Sequence, residues 1–134
     1  MTTEQIRLVK QSWRSLRGIE PALIAELFYT KLFALQPSLR KLFPADMQTQ
    51  YGKLMDMLTS LVIGLDDVQA LKGSLQDMGK RHEGYGTKPG HYALVGTALL
   101  WTLEKSMGAD WTPAVKEAWA ACYNLIVTAM LDRS

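Results

Sequence analysis

The 134-residue sequence contains one cysteine, Cys122, so no internal disulfide can form and nothing points to an oxidising compartment. Histidine is almost as scarce. His82 and His91, with one cysteine, cannot build a four-ligand zinc site without carboxylates, and their spacing matches no zinc motif. Charge of one sign is also lacking: 15 Lys and Arg against 13 Asp and Glu leave a net charge of +2, scattered along the chain rather than blocked. That balance gives no warrant for a nucleic-acid or membrane partner. The longest uncharged stretch after His91, residues 92–103, is too short to span a bilayer, and residues 1–5 lack the apolar run of a signal peptide. Gly64, Gly73, Gly79 and Gly96 are isolated and form no phosphate-binding loop. No carboxylate pair lies on an apolar face, and no Ser/His/Asp constellation is definable. The expectation is a soluble, cytoplasmic protein.

What is present is apolar residue in helical rhythm. Hydrophobic residues make up 48% and charged residues 21%, enough to bury a core and too apolar for disorder. The length suits one domain, 1–134. Thr3, Ile6, Val9, Trp13 and Leu16 space out a first amphipathic helix closed by Gly18. Pro21 suits a first turn, and residues 22–35 follow, apolar nearly all round. Pro37 starts a short helix ending near Phe43, stopped by Pro44. A loop to about Thr49 precedes a helix over 50–65, and 68–83 is another, followed by a flexible Gly84-Tyr85-Gly86. Pro89 and Pro113 sit early in the last two helices, 90–107 and 113–132, with Thr112 capping the second. The spacing predicts an all-α chain of about seven helices. Periodicity alone leaves an up-and-down bundle open, although the short proline-initiated helix and the uneven connections count against it.

Four side chains invite a chemical reading. His82 shares a stripe with Leu71, Leu75 and Met78, all within roughly 60° on the helix surface. It is either a buried histidine bonded to a backbone carbonyl or an axial ligand to iron, since neutral imidazole binds iron well. Gln50 heads the stripe Leu54, Met57, Leu58, Leu61 and Leu65. It is either a solvated residue at the helix start or a hydrogen-bond donor over a bound ligand. Tyr29, among Leu27, Phe28, Leu32 and Phe33, is either a core tyrosine whose hydroxyl reaches the surface or a second such donor. His91, after Pro89-Gly90, belongs at the surface or rim. Trp13, Trp101, Trp111 and Trp119 read as packing residues, and Cys122 as core.

Three blocks together resemble the globins, and within them the bacterial single-domain haemoglobins related to the haem domain of flavohaemoglobins. The first is Leu27-Phe28-Tyr29-Thr30-Lys31-Leu32-Phe33 through Pro37 to Leu42-Phe43. The second is Gln50-Tyr51-Gly52-Lys53-Leu54-Met55. The third is Lys80-Arg81-His82-Glu83-Gly84-Tyr85-Gly86 with His91-Tyr92-Ala93-Leu94-Val95-Gly96, and the 39-residue step from Phe43 to His82 fits. The resemblance covers essentially the whole chain. It implies a globin fold in a three-over-three arrangement around haem b, with His82 on the iron and the sixth position left to a diatomic gas such as O2, CO or NO. Phe43, Leu54, Lys53, Met78, Tyr92 and Val95 would contact the haem, Lys53 by pairing with a propionate. Tyr29 and Gln50 would donate hydrogen bonds to the gas.

One departure from the family pattern concerns the residue behind the iron ligand. A glutamate in that group, with a tyrosine matched by Tyr92, bonds the iron-ligating histidine; counted without gaps from Trp119, its position falls on Ser134, with Asp132 nearby. The expectation is that no flavin-binding reductase segment is attached. The resemblance therefore implies reversible O2 binding for storage, delivery or sensing ahead of catalysis. Nitric oxide oxidation with an external reductase is the second reading, and a haem-free interaction module the third.

Overall fold

Helix starts are written into local side-chain chemistry. In the computed structural model, which describes residues 1–84 and 86–132, the Thr2 hydroxyl accepts the Gln5 backbone N–H at 3.0 Å while Gln5 Oε1 accepts the Thr2 N–H at 2.9 Å. This reciprocal box opens α1 (Thr3–Arg14), which continues as a 3-10 turn, Ser15–Gly18. Pro21 begins α2 (Pro21–Leu35), and Pro37 begins a 3-10 helix, Pro37–Leu42. Then come α3 (Gln48–Gly64), α4 (Val68–Gly84), α5 (His91–Met107), a 3-10 turn Gly108–Asp110, and α6 (Pro113–Leu131). Thr112 caps α6, accepting from the Val115 N–H at 3.2 Å.

The seven helices expected from the sequence are all present, with two corrections at their ends. The α3 helix starts at Gln48 rather than Gln50, because Asp46 Oδ1 accepts the Gln48 N–H at 3.0 Å and so extends the first turn backwards. Pro89 lies before α5 instead of inside it. Its carbonyl accepts the Tyr92 N–H, so the proline closes the preceding turn. Tyr85, expected in a flexible link, is outside the described residues.

The helices form two layers of three. One holds α1, α3 and α4, the other α2, α5 and α6, with α1 and α4 lying on α6 and α3 on α2. The layers meet over a core that includes Val9, Leu75, Ala98, Leu103 and Ala118, all with no exposed surface. Across the core Trp119 Nε1 donates to Ser12 Oγ at 2.8 Å, locking α6 to α1. Cys122 is 2% exposed, and burial pushes its thiol up to about 12, so it is a core residue and not a nucleophile. Among the described residues no helix is long and apolar enough to cross a membrane.

Two glycines decide how closely α6 is approached. A Cβ on Gly79 of α4 would sit 1.8 Å from the Met130 carbonyl oxygen, and one on Gly96 of α5 would sit 2.6 Å from the Tyr123 ring. Both distances are far inside contact, so α4 and α5 are seated on α6 at a spacing that only hydrogen in place of a side chain permits.

Candidate functional site

The α2 and α3 helices bring Tyr29 and Gln50 together, as the sequence suggested they could be used. Tyr29 is 5% exposed, and its hydroxyl oxygen accepts a hydrogen bond from Gln50 Nε2 at 3.0 Å. Gln50 is half-buried, so it is not a solvated residue at the helix start. Burial raises the Tyr29 phenol above its usual range, with the Gln50 bond pulling weakly the other way, so the group stays a neutral phenol. With its oxygen accepting from Gln50, the phenol's own hydrogen is directed elsewhere, as a donor.

An aromatic cluster fixes that phenol. The Phe43 ring meets Tyr29 edge-on at 5.4 Å, Phe28 meets it edge-on at 5.0 Å, and Tyr51 stacks on it at 5.8 Å. Phe43 is itself held by Arg40. Its guanidinium donates to the carbonyls of Phe43 (3.2 Å), Pro44 (2.8 Å) and Ala45 (3.0 Å) and lies over the Phe33 ring at 5.6 Å. Neither Tyr51 nor Arg40 was singled out in the sequence. The available signal for Arg40 was its place in the last turn of a short helix, where a cation satisfies carbonyls left without helical partners.

His82 lies on α4, in the same layer as α3. It is half-buried near the end of α4, and its Nδ1 lies 2.8 Å from the Met78 carbonyl oxygen. A carbonyl only accepts, so Nδ1 carries the proton and, in the neutral ring, the lone pair resides on Nε2. The two readings open at the sequence level are therefore compatible: a bond from Nδ1 to a backbone carbonyl is what orients an imidazole that ligates through Nε2. The Thr87 N–H donates to the His82 carbonyl at 3.0 Å and pins the chain after it.

The remaining residues divide. Leu54 is buried one turn past Gln50, and Met78 and Val95 are half-buried. Tyr92 is buried, with its carbonyl accepting from Tyr123 Oη at 2.5 Å. Lys53 is exposed. His91, half-buried, turns inward on its own loop, Nδ1 accepting from the Lys88 N–H at 3.1 Å. Ser134 is outside the described residues.

Between α3 and α4, which touch one another little, lies an apolar cleft of about 540 Å3 walled by Met57, Leu61, Leu71, Leu75 and Met78. Tyr29, Gln50 and His82 do not line it. The donor chemistry suits haem. Among the described residues no three His, Cys, Asp or Glu side chains gather to hold a bare ion, whereas haem brings four nitrogens of its own and asks the protein for one oriented imidazole. His82 offers that, on an apolar stripe.

Comparison with known proteins gives the same direction. The globin family's sequence pattern matches residues 26–130, a span containing Tyr29, Phe43, Gln50 and His82. Neuroglobin of Danio rerio is 30% identical over 92% of this chain and 86% of that protein. Neuroglobin of Tetraodon nigroviridis is 31% identical over 97% of this chain and 90% of its own length, and neuroglobin-1 of Oncorhynchus mykiss matches equally well. These relatives are neuroglobins, so the similarity reaches the family and stops short of the bacterial group.

Proposed function

The chain belongs to the globin family, and on that premise we propose that it holds haem b on His82 and binds O2 reversibly as a single domain, 1–134. Haem supplies an iron with one position open to a diatomic gas. His82 presents Nε2 because Met78 holds Nδ1, while Leu54, Met78 and Val95 give apolar contact and Phe43 packs on the ring. Lys53 pairs with a propionate, a contact worth little at its exposed position.

The observation that carries the gas-binding reading is the buried Tyr29–Gln50 hydrogen bond. It leaves a neutral phenol with a hydrogen to give and a carboxamide that orients it. Dioxygen gains partial negative charge on binding and benefits from such donors; CO carries little and gains less. Each bond contributes on the order of 1–3 kcal/mol, which slows O2 release by about tenfold or more. This Tyr/Gln pair is also the ground for placing the chain beside bacterial single-domain haemoglobins within the family. Stopped-flow O2 dissociation tests the reading: Tyr29→Phe is expected to release O2 about tenfold faster, and an unchanged rate removes Tyr29 from the role.

Nitric oxide oxidation draws on the same two donors but requires repeated reduction from an external reductase. Sustained NO consumption with a reductase supplied would select it, and a single stoichiometric turnover would select reversible O2 binding, the reading given first here.

A further inference from the structure

The α4 helix carries His82 and packs extensively on α6, and at Gly79 the two meet at main-chain distance. Gly79, three residues before His82, faces Met130 so closely that an added methyl would stand 1.8 Å from the carbonyl oxygen and 2.6 Å from the carbonyl carbon. Those atoms are backbone in the last turn of α6 and cannot rotate away as a side chain would. Restoring ordinary contact of about 3 Å requires the α4 backbone and the last turn of α6 to part by more than 1 Å at that point. Near this seat Gln76 Nε2 donates to the carbonyl of Asp132, the residue that caps the end of α6, at 3.0 Å. Gly79 and Gln76 lie within about 60° of each other on α4, and His82 lies about 60° from Gly79 on its other side. Movement away from α6 therefore carries the imidazole with it.

Magnitude decides whether that matters. Metal constellations must be held to within about 0.5 Å of working geometry, and a shift of more than 1 Å exceeds that. The hydrogen bond from Nδ1 to Met78 offers no correction, because Met78 belongs to the same helix and travels with it. We infer that Gly79 is the positioning residue for the iron-ligating imidazole: it fixes the height of His82 by letting the α4 backbone rest on the Met130 carbonyl. The inference rests on the proposed haem site.

The test compares Gly79→Ala with Val9→Ala, a fully buried truncation in α1 that destabilises without touching the α4–α6 seat. Haem-loaded proteins are read by the iron–histidine stretching band in resonance Raman and by the rate of haem transfer to excess apomyoglobin. Gly79→Ala is expected to shift the band to lower frequency and speed haem loss by about 10–100-fold, the range for lost outer support of a metal ligand. Val9→Ala is expected to leave the band in place. An unshifted band in Gly79→Ala, or an equal shift in Val9→Ala, overturns the inference. If Gly79→Ala does not accumulate, Gln76→Ala removes the bond to Asp132 alone and is expected to shift the band less in the same direction; no shift there also overturns it. A wild-type protein that takes up no haem would instead defeat the proposed function, so the two failures are distinguishable.

Discussion

The two groups of residues proposed for the haem site are held in place by different means. On the α2–α3 side, position comes from side chains touching side chains: Gln50 bonds Tyr29, four aromatic rings surround the phenol, and Arg40 clamps the loop that carries Phe43. On the α4–α5–α6 side it comes from backbone. His82 is oriented by a main-chain carbonyl, Tyr92 is held through its own carbonyl, Gly79 lets α4 meet α6 at main-chain distance, and Gly96 bares the α5 backbone to the Tyr123 ring. Side-chain contacts can be retuned one group at a time, each for about a hydrogen bond's energy. A backbone seat has no small adjustment, because the smallest substitution already exceeds the space.

Three substitutions sharpen or break that contrast. The largest effect is expected from His82→Ala, which removes the imidazole proposed to ligate the iron: the purified protein should lose the haem absorption band or hold haem so weakly that a desalting column strips it. Full retention of haem would place the iron ligand elsewhere. Next, Gly96→Ala forces a methyl into the Tyr123 ring and should cost about 1–3 kcal/mol in chemical denaturation, the usual range for overpacking. A cost near zero would mean that the α5–α6 seat gives way as readily as a side-chain contact. The smallest effect is expected from Gln50→Leu, which keeps the apolar volume, removes the donor to Tyr29 and leaves the phenol in place. O2 release should quicken severalfold, less than with Tyr29→Phe. A larger effect than Tyr29→Phe would make Gln50 the principal donor.

How much of this was legible beforehand follows the same division. Tyr29, Gln50 and His82 could be picked out because each is a polar side chain conspicuous on an apolar helical stripe, and type and spacing are properties of the sequence; Phe43 entered only through the resemblance to the globins. Arg40 and Tyr51 escaped because their partners lie on other segments or on main-chain carbonyls, which no pattern of residue types displays. Gly79 escaped more completely. Beside Gly64, Gly73 and Gly96 it appeared as one of several isolated glycines, yet a Cβ at Gly73 would meet nothing within 4 Å while one at Gly79 would meet backbone. Identical letters carried opposite constraints. The α3 start was misplaced by two residues because Asp46 completes the turn from outside the apolar rhythm.

By itself the sequence determined the helical character, the order of the helices and the chemistry available to them, since caps, prolines and apolar periods act within a few residues. Only the tertiary structure decided which tyrosine oxygen takes the Gln50 hydrogen, which nitrogen of His82 is tied down and which glycine must remain one. The first and last depend on the close approach of segments far apart in the chain, Tyr29 to Gln50 and Gly79 to Met130, and the second on the turn of α4 between Met78 and His82. Packing sets those distances.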